Sequence, residues 1–450
     1  MKPRLVALLA VVVLSAVPRG QSGAASYTLA LTGDSIITRR LSVYQEPAFL
    51  KMIDVIRSAD AAFTNLEMLF HDYETYPMHE SGGTYMRADP ALVKELVWAG
   101  FDLVSRANNH TGDFGVDAMR LTTKYVNAAG LVQAGVGESL REAREPRFLE
   151  TAKARVALVS AASTFTAHSR AGRSRGDMPA RPGLNPLRFT TTYETSPAAL
   201  GRLRDALADV GIAGRGGRGT DQQSLVLSGN RVVAGDHPGI HTAPNKEDLD
   251  EIVAAVKSAA RMADYTIVTV HSHEGGGRDR LVPAEFLVAF AHAVVDAGAD
   301  VFVGHGPHVL RGIEIYKGKP ILYSLGDFIF ENDTLQRLPE ENYETYELGP
   351  EAHVADFLDR RSAGDTRGFT ADQLVWESVV AVPRFEGKRL AALALYPISL
   401  GFRKPLTERG RPQLADATLG RKILDDLTKL SAPFGTAIEN REGVGYVTLR

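Results

Sequence analysis

Between residues 27 and 330 the chain repeatedly runs a short apolar stretch into a polar loop. The stretches are Tyr27–Asp34 (YTLALTGD), Ala59–Glu67 (ADAAFTNLE), Phe101–Gly115 (FDLVSRANNHTGDFG), Ala154–Thr164 (ARVALVSAAST), Ala263–Gly276 (ADYTIVTVHSHEGG), Ala299–Val309 (ADVFVGHGPHV) and Pro320–Phe330 (PILYSLGDFIF). Amphipathic segments such as EPAFLKMIDVIRSAD and DPALVKELVWAG lie between them. Strands alternating with helices predict an α/β protein with largely parallel or mixed sheets. Ligands of such sheets bind beyond the carboxyl ends of the strands, where this chain places its polar loops.

The N-terminus follows a different rule. Lys2 and Arg4 precede the apolar run Leu5–Val17, and small and polar residues (QSGAAS) follow it. This order describes a secretory signal peptide over residues 1–25, with cleavage near residues 24–26; an uncleaved anchor is the alternative, although thirteen apolar residues span a bilayer poorly. A secreted, periplasmic or cell-envelope location is expected. Cleavage would remove three basic residues and no acidic one, taking the net charge from −3 to −6. A mildly acidic exported protein does not suit nucleic-acid binding. The chain has no cysteine and twelve histidines. Disulfides and thiolate zinc sites are therefore excluded, and a metal site must use His, Asp, Glu or Asn.

Two regions interrupt the pattern. From His168 to about Pro238 the chain reads as loop-rich, and His168–Arg188 carries five arginines and one aspartate. This is expected to be an insertion (about 165–240) within a domain covering residues 26–335. Residues 336–450 begin with an acidic loop and continue into strand-like sequence, expected to complete the same body. GRGGRG (Gly214–Gly219) satisfies a dinucleotide-binding spacing, but it follows a helix-like segment instead of closing a strand, so it reads as a loop. His292, in AEFLVAFAHAVVDAGA, reads as a helix-face residue packed on a sheet.

The strand-end polar residues are Asp34, Asn65, Glu67, Asn109, His110, His271, His273, His305, His308 and Asp327. Each alone has an ordinary explanation as a cap or a loop residue. Brought to one edge, they supply enough oxygen and nitrogen ligands for two ions sharing a carboxylate.

The stretches LTGDSI, FTNLE, SRANNHTGDFG, VTVHSHEGG, VFVGHGPHV and ILYSLGDFIF occur in the order found in the CapA family of capsule and poly-γ-glutamate synthesis proteins. The chain resembles that family, within the calcineurin-like metallophosphoesterase superfamily, over about Tyr27–Phe330. The resemblance implies two mixed β-sheets flanked by helices, an α+β sandwich. It implies metal ligation by Asp34, Glu67, Asn109, His271, His305 and His308, with His110 as the outer-sphere histidine. The ions would be one or two of Mn, Zn, Fe, Mg or Ca. Three departures stand out: no histidine follows Asp34 in the Asp-x-His position, Glu67 replaces a bridging aspartate, and His305 and His308 are spaced by one residue more than usual. Asp327 reads as tying down a loop.

The leading expectation is a metal-dependent hydrolase of phosphoesterase type. His110 would protonate a leaving group, and His273 and Glu274 would act as an acid/base pair or orient the ligands. Arg181, Arg188 and Asn65 are expected to bind an anionic polymer or peptide substrate. Polymer synthase or export components in the membrane are possible partners, and nucleic acid is not. Two rival readings use the same residues: a metal-dependent peptide or amino-acid epimerase, and a non-catalytic polymer-binding or export factor.

Overall fold

Alternation of side chains along the central strands generates a four-layer sandwich. The computed structural model describes residues 26–212 and 223–449. The N-terminal apolar run and Gly214–Gly219 lie outside the described residues. In the strand Ser26–Ile36, Leu29 and Leu31 face inward and join Phe63, Leu158, Ile267 and Val303 in a core between two sheets. Ala30 and Ala62 face the other way, onto a core containing Phe49, Met52, Ile53 and Leu96. On the far side, Val159, Val268 and Phe302 pack with Ile252, Val256, Phe286 and Phe290. This period of two is the pleat of the strand, and both faces of each sheet are buried, which explains the nearly continuous apolar runs.

The helices supply the outer layers through 3.6-residue periodicity. Pro47–Arg57 starts with proline in its first turn and buries Phe49, Met52, Ile53 and Ile56. Lys246–Met262 is capped by Asn245, carries Glu247 and Asp248 in its first turn, and buries Ile252, Val256 and Ala259. His292 lies on the helix Glu285–Asp296, stacked 3.9 Å from the Tyr316 ring and hydrogen-bonded to Glu314, as its sequence context predicts.

The larger sheet runs Ile438–Arg441, Val444–Val447, Arg389–Ser399, Glu377–Glu386, Ser26–Ile36, Ala61–Leu66, Leu103–Ser105, Val132–Ala134. The second runs Leu310–Tyr316, Lys319–Leu325, Val301–His305, Tyr265–His271, Arg155–Ala162, Arg147–Glu150. Both mix parallel and antiparallel pairs. This is the expected α/β class. Parallel register sets Asp34 beside Asn65 and beside Asp327, and His271 beside His305. Gly33 makes the second of these possible: a Cβ there would sit 1.7 Å from the Gly326 carbonyl oxygen.

Two stretches are more ordered than their sequences suggest. Phe189–Thr195, Ser224–Leu227, Asn230–Ala234 and Gly239–Pro244 form a small sheet accompanied by the helix Pro197–Asp209. The acidic stretch after Phe330 holds the helices Glu340–Glu344 and Val354–Ser362. In both cases polar composition hides elements with one partly buried face, such as Leu200 with Leu225 and Val232, or Phe357 with Tyr343 and Tyr346.

Candidate metal centre

The strand ends of both sheets bring seven titratable side chains together. Ligand atoms of Asp34, His271 and His305 lie within 4.8 Å of one another, as do those of Glu67, His271 and His273, and those of Asp34, Glu67, His308 and Asp327. Asp34 and His271 belong to two groups each, and so does Glu67, so the three sets form one continuous cluster. Asp34, Glu67, His271, His305 and Asp327 are completely buried.

Main-chain geometry aims these groups. The Asp34 Oδ2 accepts the Gly306 N–H at 2.8 Å, and its Oδ1 accepts from Asn65 Nδ2 at 2.7 Å. Gly306 has φ +113°, a conformation that suits glycine. His271 Nδ1 and His305 Nδ1 face each other at 3.1 Å and approach Asp34 Oδ1 at 3.6 and 3.4 Å. The other His305 nitrogen meets Thr269 Oγ1 at 2.6 Å, while His271 Nε2 meets His273 Nε2 at 3.0 Å. His308 adopts φ +55°, left-handed backbone that a non-glycine residue rarely takes, and such strain gathers at functional sites.

Charge in the cluster is unevenly satisfied. Burial opposes ionisation of Asp34, but hydrogen bonds and charge from His271 and His305 outweigh it and hold the carboxyl well below its usual range. Burial, reinforced by Asp34, pushes Glu67 well above its usual range. Burial also takes His271 down to about 4 despite Asp34, and drives His273 well below normal. It likewise raises Asp327 to about 6 against the pull of His308. His308 moves the other way: burial alone would lower it, but the adjacent Asp327, 2.8 Å from Nδ1, helps carry it up to about 10.

The donor set fits a divalent ion. Both Glu67 oxygens, Asn109 Oδ1 and Asp327 Oδ2 are buried without a hydrogen-bond partner. A buried, unpaired polar oxygen is costly, and a cation removes that cost. Carboxylate, amide and imidazole donors with no thiolate suit hard or borderline ions. Residues that could hold one are Asp34, Glu67, Asn109, His271, His273, His305, His308 and Asp327.

Asn109 and His110 come from the turn Asn109–Gly112, which Asn108 caps. The Asn109 Nδ2 donates to the Gly82 carbonyl at 2.9 Å, leaving its Oδ1 free. His110 Nδ1 is 2.7 Å from Asp113 Oδ2, and its Nε2 lies 3.6 Å from Glu67 Oε1. Asp113 also accepts the Gly82 and Met86 N–H groups, so one carboxylate ties this loop to the imidazole.

Several expected roles change. Asn65 is completely buried and hydrogen-bonds Asp34, so it orients a carboxylate instead of facing a substrate. Glu274 is fully engaged by the hydroxyls of Ser163, Thr164 and Ser272, which favours the orienting one of its two expected roles over the acid/base one. Arg181 hydrogen-bonds the Arg170 carbonyl, and Arg188 grips Asp248 at 2.6 and 2.9 Å, so neither contacts the cluster. Asp327, read as a loop tie, opens the strand Asp327–Phe330 and sits inside the cluster.

Other contributors were missed. Asp113 is visible as an acid three residues after His110. Arg311, completely buried, donates to the carbonyls of Ser272 and His273, and nothing in its sequence context marks it.

Two helix-flanked mixed sheets with carboxylate, amide and histidine groups at their strand ends define the metallophosphoesterase-like class of α/β proteins. Within that class the chain belongs to the bacterial capsule synthesis protein PGA_cap family, whose model matches residues 28–332. It is 40% identical over 438 residues to the uncharacterized protein y4sH of Sinorhizobium fredii, covering 94% of this chain and 93% of that one. It is 25% identical over 311 residues to the capsule biosynthesis protein CapA of Bacillus anthracis, covering 68% of this chain and 60% of that one. A segment of 97 residues is 41% identical to the probable polyglutamine synthesis accessory protein Rv0574c of Mycobacterium tuberculosis, covering 21% and 25% of the two chains.

Proposed function

We propose that this protein is a metal-dependent hydrolase acting on an anionic polymer of the cell envelope during capsule or polyglutamate synthesis. The observation that carries the reading is Glu67: its carboxylate is completely buried, both oxygens lack a hydrogen-bond partner, and the His110 and His271 rings lie 3.6 and 3.7 Å away. The names of the relatives in Bacillus anthracis and Mycobacterium tuberculosis support a role in capsule or polymer synthesis, with the synthesis machinery as partner. The basic, apolar and small-residue order of residues 1–25 supports export. No helix among the described residues is long and apolar enough to cross a membrane.

A divalent ion bound here would supply Lewis acidity toward a phosphoryl or carbonyl oxygen and would acidify a water. The chain's own groups do the rest. Asn65 and the Gly306 N–H fix Asp34. Asp113 accepts the Nδ1 proton of His110, which leaves Nε2 as the atom that takes up or gives a proton beside Glu67. Glu274 and Thr164 hold the His273 main chain, with Thr164 Oγ1 accepting the His273 N–H at 2.9 Å.

Elemental analysis of the purified protein tests the site. Wild type should carry a divalent ion, and Glu67→Ala should lose most of it. Turnover of a generic phosphodiester should require added manganese or zinc and should vanish in Asn109→Ala. A wild-type protein that takes up no ion would sink the reading.

A further inference from the structure

The C-terminal residues, in which the sequence offers no motif, reach the cluster from two sides. On one side, Arg361, at the end of the helix Val354–Ser362, donates Nη1 to the Thr84 hydroxyl. Thr84 is buried beside Gly82 and Gly83. Gly82 receives the Asn109 side chain, and a Cβ built on Gly83 would lie 3.9 Å from His110 Cε1. On the other side, the Phe369 ring packs edge-on against His308 at 5.2 Å and against Phe330 at 5.4 Å. Asp372 pairs with Arg280, on the hairpin that follows His273 and Glu274. Residues 361–372 therefore run from the His110 side of the candidate metal centre to the His308 side.

This segment is braced from within. Arg367 donates to the carbonyls of Arg361 and Arg360 at 2.8 and 3.0 Å, and Trp376 Nε1 donates to the Phe369 carbonyl at 2.8 Å. Arg361 is half-buried and has no carboxylate within 4.0 Å among the described residues, unlike Arg173 and Arg188 of the arginine-rich stretch. A guanidinium carries five N–H donors in a planar fork, and among the described residues only the bond to Thr84 occupies it.

We infer that residues 361–372 form the substrate-facing wall of the metal centre, and that Arg361 is the residue that recognises an anionic oxygen pair, carboxylate or phosphate, on the substrate. Phe369 closes the His308 side of the same wall. The inference rests on the metal-centre reading above and goes beyond it by naming the recognition group and the oxygen pair it reads.

The test uses full-length, metal-loaded protein. Binding of inorganic phosphate and, separately, of a defined glutamate oligomer is measured by calorimetry for wild type, Arg361→Gln and Arg361→Lys, with the metal content of each sample determined in parallel. Arg361→Gln should weaken binding of the preferred anion about tenfold or more while keeping the wild-type metal content. Arg361→Lys should recover part of the loss, because it restores charge but not the fork. The tighter of the two anions identifies the substrate group as phosphoryl or carboxylate. Equal affinity in wild type and Arg361→Gln overturns the inference, and so does a metal-loaded wild type that binds neither anion. Wild type without metal is a different failure, of the metal reading itself, and the elemental analysis separates the two.

Discussion

Two regions of this protein bury charge, and they do so in opposite ways. At the N-terminus of the helix Lys246–Met262, Asp248 is completely buried but held by both Arg144 and Arg188, with its own main-chain N–H capped by Asn245. Glu251 and Glu247 extend that network through Arg144, Arg173 and Arg188. Burial would raise the Asp248 carboxyl, but Arg188 and Arg144 more than offset it and hold it below its ordinary value. At the strand ends, Glu67 is equally buried and its oxygens have no hydrogen-bond partner. A buried charge that its neighbours saturate is a structural joint. One that they leave open is waiting for something outside the chain.

The sharpest way to break this contrast is to neutralise one acid in each region. Asp248→Ala removes the buried partner that Arg144 and Arg188 share, leaving them only the more exposed Glu251 and Glu247, and should cost about 3 kcal/mol of unfolding free energy in urea titrations. Glu67→Gln should do the reverse in metal-free protein, leaving stability unchanged or raising it by about 1 kcal/mol, because it removes a costly buried carboxyl. A large loss of metal-free stability in Glu67→Gln would show that Glu67 is a structural acid like Asp248.

A second separation comes from pH. His308 is raised to about 10 in the folded chain against about 6.5 when unfolded. The folded state therefore binds more protons between those values, so this contribution is fully present below pH 6.5 and is lost as pH rises through about 10. Asp248, lowered in the fold, contributes above the unfolded carboxyl value of about 3.9, and its stabilisation is flat across the alkaline window. Metal-free protein should thus lose stability between pH 7 and 10, and His308→Asn should flatten that slope while Asp248 variants keep it. Metal uptake should rise across the same window, because His308 must give up a proton to become a ligand.

The sandwich was legible because each central strand buries both faces and stops at a polar loop, a pattern that survives without any tertiary knowledge. The same pattern located Asp34, Glu67, His271 and His305, since register alone delivers strand ends to a shared edge. Asp327 reads as a turn residue because it is a lone aspartate after glycine, and only the Gly33–Gly326 approach shows that its strand lies against Asp34. The arginines failed for the complementary reason. Their charge is visible in the sequence, but its destination is not: Asp248, which consumes that of Arg188, lies 60 residues further along, and Arg181 turns to the Arg170 carbonyl. Arg361 and Phe369 had no signal at all, because their position comes from how residues 361–372 fold back across the cluster.

The smallest effect is expected at Arg181, and it tests whether the arginine-rich stretch has any part in recognition. Among the described residues its side chain hydrogen-bonds the Arg170 carbonyl, 2.8 Å from Nε, so it braces a turn and leaves its charge facing solvent. Arg181→Ala removes one exposed hydrogen bond and should change stability by no more than about 0.5 kcal/mol. Because the residue does not contact the cluster, metal content and anion affinity should match wild type. Arg188→Gln should also spare the metal, but it should cost more stability than Arg181→Ala, since Asp248 then keeps only Arg144. If Arg181→Ala weakened binding of the glutamate oligomer as strongly as Arg361→Gln, charge on this rim would be recognising substrate across a distance, and the contrast between saturated and open charge would no longer separate structure from function.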